Sequence, residues 1–145
     1  FRTYHASKAV KEHLESNLPG VGDPEYLKKS IAILANLQAA IVCNHKRRPP
    51  KTWKESLRKK AERMRRLKTK KKSSAREAAR ALQLNIKITK MVKDYNLRTS
   101  LKSYIDPRIY HRWGRKIDYD WKLYYPKMLQ KKFSWIEDPD ITGKS

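Results

Sequence analysis

The sequence has a single cysteine, Cys43, among its 145 residues, so no intrachain disulfide can form. Its four histidines show no metal-ligand spacing with one another or with Cys43, which argues against structural zinc. Glycine is scarce, at four residues, and no stretch alternates apolar and polar side chains as a half-buried strand does. Together these shortages predict an all-α chain. Long hydrophobic runs are missing too: the longest, IAILANLQAAIVC at 31–43, is too short and too polar to span a bilayer. Most telling is the shortage of acid. Asp and Glu number 14 against 36 Lys and Arg, a net charge of +22. A small-metabolite enzyme rarely needs that excess. A polyanion partner does, because Lys and Arg displace counterions from phosphates. A membrane surface fits less well, since the basic helices lack a broad apolar face. The chain starts at Phe1, inside what reads as a motif, and is expected to be a piece of a longer protein or a processed one.

What is present falls into three segments. In 1–50, Val10, Leu14 and Leu18 recur every four residues before Pro19-Gly20, as on a short amphipathic helix. Asp23-Pro24 reads as the N-cap and first residue of a second helix. Its stripe is Leu27, Ile31, Leu34, Leu37 and Ile41, widened by Ile33 and Val42. In 51–96 the character changes. From Lys46 to Lys72 there are 15 Lys and Arg against two Glu. A narrow seam of Trp53, Leu57, Ala61, Met64 and Leu67 runs through them at near-heptad spacing. After a break at 70–73, Ser74 and Glu77 form a candidate capping box. A second seam follows, through Ala75, Ala78, Leu82, Ile86, Val92 and Tyr95. Two such helices joined by a short turn predict a projecting antiparallel hairpin with little core of its own. In 97–145 apolar density returns. Asp106-Pro107 reads as an N-cap and first turn for a helix through Trp113, and a last helix from Lys127 carries Met128, Leu129, Phe133 and Trp135. Trp113, Phe133 and Trp135 are expected in the core. The tail DPDITGKS is expected to be disordered.

Three short stretches concentrate candidate chemistry: FRTY at the start, CNHKRRPPK in the middle and TSLKSYIDPR near the end. With KFSW after them, FRTYHAS, AAIVCNHKRRPPK and TSLKSYIDPR resemble, in order, four motifs from the C-terminal part of the eukaryotic type IB DNA topoisomerases. The family patterns are F-R-T-Y-N-A-S, A-I-L-C-N-H-Q-R-x-P-P-K, T-S-K-x-N-Y-x-D-P-R and K-F-x-W. The resemblance covers nearly the whole chain apart from the middle of the basic hairpin, where the family carries an antiparallel coiled-coil linker. It therefore implies the end of a catalytic core at 1–50, the linker at 51–96 and a tyrosine-bearing domain at 97–145.

The resemblance implies that Tyr104 is a nucleophile. Its oxygen would attack a phosphodiester, expel the 5′-hydroxyl and leave a 3′-phosphotyrosyl link that holds a nick open for strand rotation. Negative charge gathers on the non-bridging oxygens in the transition state, where fixed donors stabilise it most. The resemblance assigns such roles to Arg2, whose fork suits two oxygens, and to His45. Lys46, Arg47, Arg48, Lys51, Ser100, Lys102 and Ser103 are the expected DNA contacts. No metal or nucleotide cofactor is implied, because the covalent link conserves the phosphodiester's energy for resealing. A further Arg and a Lys of the family's set lie upstream of Phe1, so the partners implied are double-stranded DNA and the upstream core of the same enzyme. A monomeric enzyme of the nucleus, or of the mitochondrion, is expected. Three positions depart from the family. The lysine after Ser100 stands one place later, at Lys102, about 100° further around a helix. Ser103 and His5 each replace an asparagine.

Taken one at a time, these residues have plainer readings. Tyr104 could be a packed aromatic, His45 a helix C-cap facing the dipole, and the basic run a solvated face or an import signal. His5, His13 and His111 read as surface or cap residues. Two rival functions remain. A tyrosine recombinase shares the Arg, His and Tyr chemistry, and His45 and Arg48 give its H-x-x-R spacing. A non-enzymatic basic helical nucleic-acid binder needs no covalent step at all.

Overall fold

The computed structural model describes residues 2–138. The described residues fold as seven α-helices: α1 (Arg2–Ser16), α2 (Glu25–Val42), α3 (Trp53–Lys68), α4 (Ser73–Val92), α5 (Leu97–Ser103), α6 (Pro107–Ile117) and α7 (Lys127–Lys132). Short 3-10 turns follow α6 and α7, at Trp121–Leu123 and Ser134–Glu137. No strand occurs among the described residues. The only pairing of that kind among the described residues is an isolated antiparallel bridge between Lys46 and Tyr95.

Residues at i, i+4 and i+8 share one helix face, and α1 buries Ala6, Val10 and Leu14 on such a face against α2. Each of the two larger side chains contributes about 1.5–3 kcal/mol by leaving water. Leu18 does not extend the stripe. The helix ends at Ser16, and Leu18 is 54% exposed. On α2 the most buried face is made of small residues, Ala32, Ala35, Ala39 and Ala40, with Leu37 and Asn36. Small side chains let the α1 backbone come close. Ile41 and Val42, assigned to the buried stripe from sequence, are exposed. The start of α2 also differs from expectation. Pro24 occupies the cap position, while Asp23 uses its carboxylate to accept from the Gly20 N–H at 2.7 Å.

The C-terminal helices close over the same core. Asp106 caps α6 as expected, accepting from the Arg108 N–H at 3.0 Å with Pro107 at the first turn. Burial raises its pKa, but the Arg108 guanidinium and N–H outweigh this and hold it below the ordinary carboxylate value. The helix runs past Trp113 to Ile117 and stops where Asp118 turns left-handed at φ 59°. Gly114 makes that stop possible, because a Cβ there would lie 2.2 Å from the Tyr119 carbonyl oxygen. Tyr110, Trp113, Tyr119, Trp121, Tyr124, Tyr125 and Phe133 contact one another, mostly edge to face, with centroids 5.1–6.4 Å apart. Such pairs add about 0.5–1.5 kcal/mol each beyond burial. The Tyr110 hydroxyl, fully buried, donates to the Ala32 carbonyl at 2.8 Å and ties α6 to α2. Trp113 and Phe133 are core residues. Trp135, expected beside them, is 40% exposed, and Met128 is 74% exposed. Of the tail expected to be disordered, 139–145 lies outside the described residues.

The α3–α4 pair contributes nothing to that core cluster. No residue of α3 is fully buried, and the seam residues Trp53, Leu57, Ala61, Met64 and Leu67 are half-buried against α4. On α4 the buried residues are Ala75, Ala79 and Ile88. The helix begins at Ser73 with no side-chain cap, so Ser74 and Glu77 do not form the capping box. The hairpin is not wholly free of the rest. α4 packs on α2, and Tyr26 of α2 lines a groove with Lys60, Arg63, Leu82 and Asn85.

Candidate active site

The centre of the site is built where α2 ends. Asn44 adopts a left-handed conformation, φ 56°, and so breaks the helix. The His45 N–H donates to the Ala40 carbonyl at 2.9 Å, and its carbonyl accepts from the Asn96 N–H at 2.6 Å. The Arg47 N–H donates to the Asp94 carbonyl at 2.8 Å. The stretch entering the hairpin is thereby stitched to the stretch leaving it, and His45 is fixed from both sides.

Asn96 then caps α5 by accepting from the Thr99 N–H at 3.2 Å. This short helix buries Ser100 and Leu101 and ends at Tyr104, whose N–H donates to the Ser100 carbonyl at 2.9 Å. Tyr104 is half-buried. Its ring lies beside that of His45, with centroids 4.8 Å apart and planes inclined at 52°. Ser7 of α1 holds the tyrosine's backbone: its hydroxyl donates to the Tyr104 carbonyl at 3.4 Å and accepts from the Asp106 N–H at 3.0 Å. From the far side, the Lys132 ammonium donates to the Lys102 carbonyl at 3.2 Å.

Arg2 reaches the same place from the first turn of α1. Its carbonyl accepts from the Cys43 thiol at 3.8 Å, two residues before His45, and its side chain is exposed. Burial pushes the Cys43 thiol pKa up, and the Arg2 charge opposes that rise. Burial lowers the His45 pKa, and the Arg2 charge lowers it further, which favours the neutral ring. Two side chains from distant parts of the chain therefore meet, the His45 imidazole and the Tyr104 phenol, and the Arg2 charge acts on the imidazole.

Lys46, Arg48, Lys51, Lys102 and Ser103 are exposed. Arg47 is exposed but engaged, with its Nε donating to the Lys93 carbonyl at 3.4 Å. Ser100 differs from the other expected DNA contacts. It is fully buried, and its hydroxyl lies 2.8 Å from His45 Nδ1. Sequence reasoning gave Ser7 no role. Its place in FRTYHAS, five residues after Arg2, was the one available signal. His5 is exposed, while His13 and His111 are half-buried with pKa values lowered by burial. Among the described residues, no group of three or more His, Cys, Asp or Glu is placed to hold a metal ion, and no helix is long and apolar enough to cross a membrane.

Comparison with known proteins places the chain in a family. Residues 1–78 match the family model of the eukaryotic DNA topoisomerase I catalytic core, and residues 76–142 match that of the C-terminal topoisomerase domain. DNA topoisomerase 1 of Caenorhabditis elegans is 31% identical over 95% of this chain and 20% of its own length. The human DNA topoisomerase 1 is 28% identical over 95% of this chain and 22% of its own length. A mitochondrial DNA topoisomerase I of rat is 28% identical over 93% of this chain and 28% of its own length. The chain thus spans 20–28% of the length of these three relatives, and it belongs to the eukaryotic DNA topoisomerase I family.

Proposed function

We propose that this chain is the nucleophile-bearing part of a type IB topoisomerase and relaxes supercoiled DNA together with an upstream core. The reading rests on one observation above the others: the Tyr104 phenol lies against the His45 ring, with Arg2 on the neighbouring turn. The Tyr104 oxygen bonds to phosphorus and loses its proton, the bond from phosphorus to the 5′-oxygen breaks, and the 5′-hydroxyl leaves having gained a proton. Resealing runs the same step backwards. Arg2 and His45 donate to the non-bridging oxygens as charge builds there, where an aimed donor contributes most. The upstream core supplies the remaining Arg, and a Lys that protonates the leaving oxygen.

Lys46, Arg47, Arg48, Lys51, Lys102 and Ser103 would hold the DNA backbone around the cleaved bond. Such contacts fix register and carry no sequence information. The basic hairpin would lie near the duplex that rotates and slow its rotation through salt-sensitive contacts. The three segments 1–50, 51–96 and 97–145 would then be core end, linker and tyrosine domain of one monomeric enzyme acting in the nucleus or the mitochondrion.

The test is relaxation of a random-sequence supercoiled plasmid by the chain assembled with its upstream core. Relaxation without a defined site, abolished by Tyr104→Phe while DNA binding persists, is the expected result. Dependence on one defined site would favour a recombinase. Binding with no strand cleavage would leave only a nucleic-acid-binding protein.

A further inference from the structure

Ser100 matches the serine of the family's tyrosine motif, yet it is enclosed, and its one side-chain partner is an imidazole 55 positions earlier in the chain. We infer that Ser100 is a positioning residue for His45: its hydroxyl donates to Nδ1 and so keeps the ring proton on Nε2. The inference rests on the proposed role of His45 as a donor to phosphate oxygen, since only a ring protonated at Nε2 can donate from that edge when neutral.

A neutral imidazole has one donor and one acceptor nitrogen, and the group beside one nitrogen decides which is which. At 2.8 Å, either the serine donates to Nδ1 or Nδ1 donates to the serine. Ser100 is fully buried, with no water-facing surface to receive its proton. Among the described residues its hydroxyl has no other hydrogen-bond partner. If Nδ1 donated, the serine proton would be buried without an acceptor, which is costly. If the serine donates, both groups are satisfied. The His45 backbone is bonded to Ala40 and Asn96 on either side, and the Tyr104 ring lies against the imidazole itself.

The tautomer matters only while the ring is neutral. Once protonated, both nitrogens donate and the serine selects nothing. The groups shown to act on the ring are Tyr104 from the end of α5, packed against it, Ser100 of α5, hydrogen-bonded to it, and Arg2 from α1, through its charge. Of these, Arg2 is the one whose charge acts on the imidazole, and it favours the neutral form.

Single-turnover cleavage of a suicide DNA substrate, by this chain assembled with its upstream core, gives the readout as a function of pH. Ser100→Ala should slow cleavage about fivefold above the ordinary histidine pKa, as expected for one lost hydrogen bond. The defect should shrink as the ring takes up a proton on acidification. Ser100→Thr, which keeps the hydroxyl, should restore the rate, and Ser100→Ala should add nothing in a His45→Ala background. Nitrogen NMR of the His45 ring in the same assembly should place the proton on Nε2. A defect of equal size at every pH, no rescue by threonine, or a proton found on Nδ1 overturns the inference. If the unaltered assembly forms no DNA adduct, the enzymatic reading fails, and the ring NMR still decides the tautomer.

Discussion

The helical body and the α3–α4 hairpin are made of the same secondary structure and use it in opposite ways. In the body, α1, α2, α5, α6 and α7 share one core, and its fully buried side chains include Val10, Leu14 and Tyr110. In the hairpin, α3 buries nothing completely and presents basic residues around a half-buried seam. The body can therefore hold an imidazole and a phenol in fixed relation. The hairpin offers charge along a surface. Positioning needs interdigitated packing, whereas contact with a phosphate backbone needs only reach and sign.

Substitutions that remove volume from the body should show the contrast most strongly. Trp113→Ala, at the centre of the aromatic cluster, should cost about 3–5 kcal/mol of unfolding free energy in chemical denaturation. A similar loss for Leu57→Ala in the hairpin would erase the distinction. Gly114→Ala comes next. Its new Cβ meets the Tyr119 carbonyl, backbone that cannot swing aside, and a cost of about 1–3 kcal/mol is expected. A denaturation midpoint unchanged from the original would show that the turn after α6 is not held as tightly as its geometry implies.

The effect of pH on stability is smaller and belongs to the body. His13, His45 and His111 all have pKa values lowered by burial. The unfolded chain then binds more protons than the folded one in the range between the lowered values and the ordinary value near ~6.5. Stability should be complete above that ordinary value and fall as the pH drops below it. Melting temperature measured across that range checks the sign, and a rise on acidification would contradict it. The smallest effect on folding should come from the hairpin's exposed ion pairs. Arg58 bridges Glu55 and Glu62 at the surface, so Arg58→Ala should leave the denaturation midpoint where it was. Replacing 54–93 by a short bridge uncovers the side of α2 that α4 covers, and it should flatten the salt dependence of DNA binding. An unchanged salt slope would remove the backbone-contact role of the hairpin.

Local chemistry was legible in the sequence where the cause is itself local. Asp106 caps the helix that Pro107 begins because carboxylate and N–H are two residues apart. The Val10 and Leu14 spacing placed the face of α1 correctly. Features set by distant neighbours were not legible. On α2 the large aliphatic residues suggested the buried stripe, yet the alanines are most enclosed because α1 comes close on that side. Asp23 had the composition of a cap, but the Gly20 N–H claims its carboxylate. At the site, the motifs brought Arg2, His45 and Tyr104 to notice, and the structure sets His45 beside Tyr104. No pattern in one sequence says that Ser7 will bond to a backbone 97 positions away, or that Ser100 will face His45.

The most direct test is to trap the cleaved complex of the full assembly on a suicide DNA substrate, digest it, and find by mass spectrometry which peptide carries the nucleotide remnant. The account predicts the remnant on the phenolic oxygen of Tyr104, linked through a 3′-phosphate. A remnant on any other residue, or on the 5′ end of the broken strand, would contradict it.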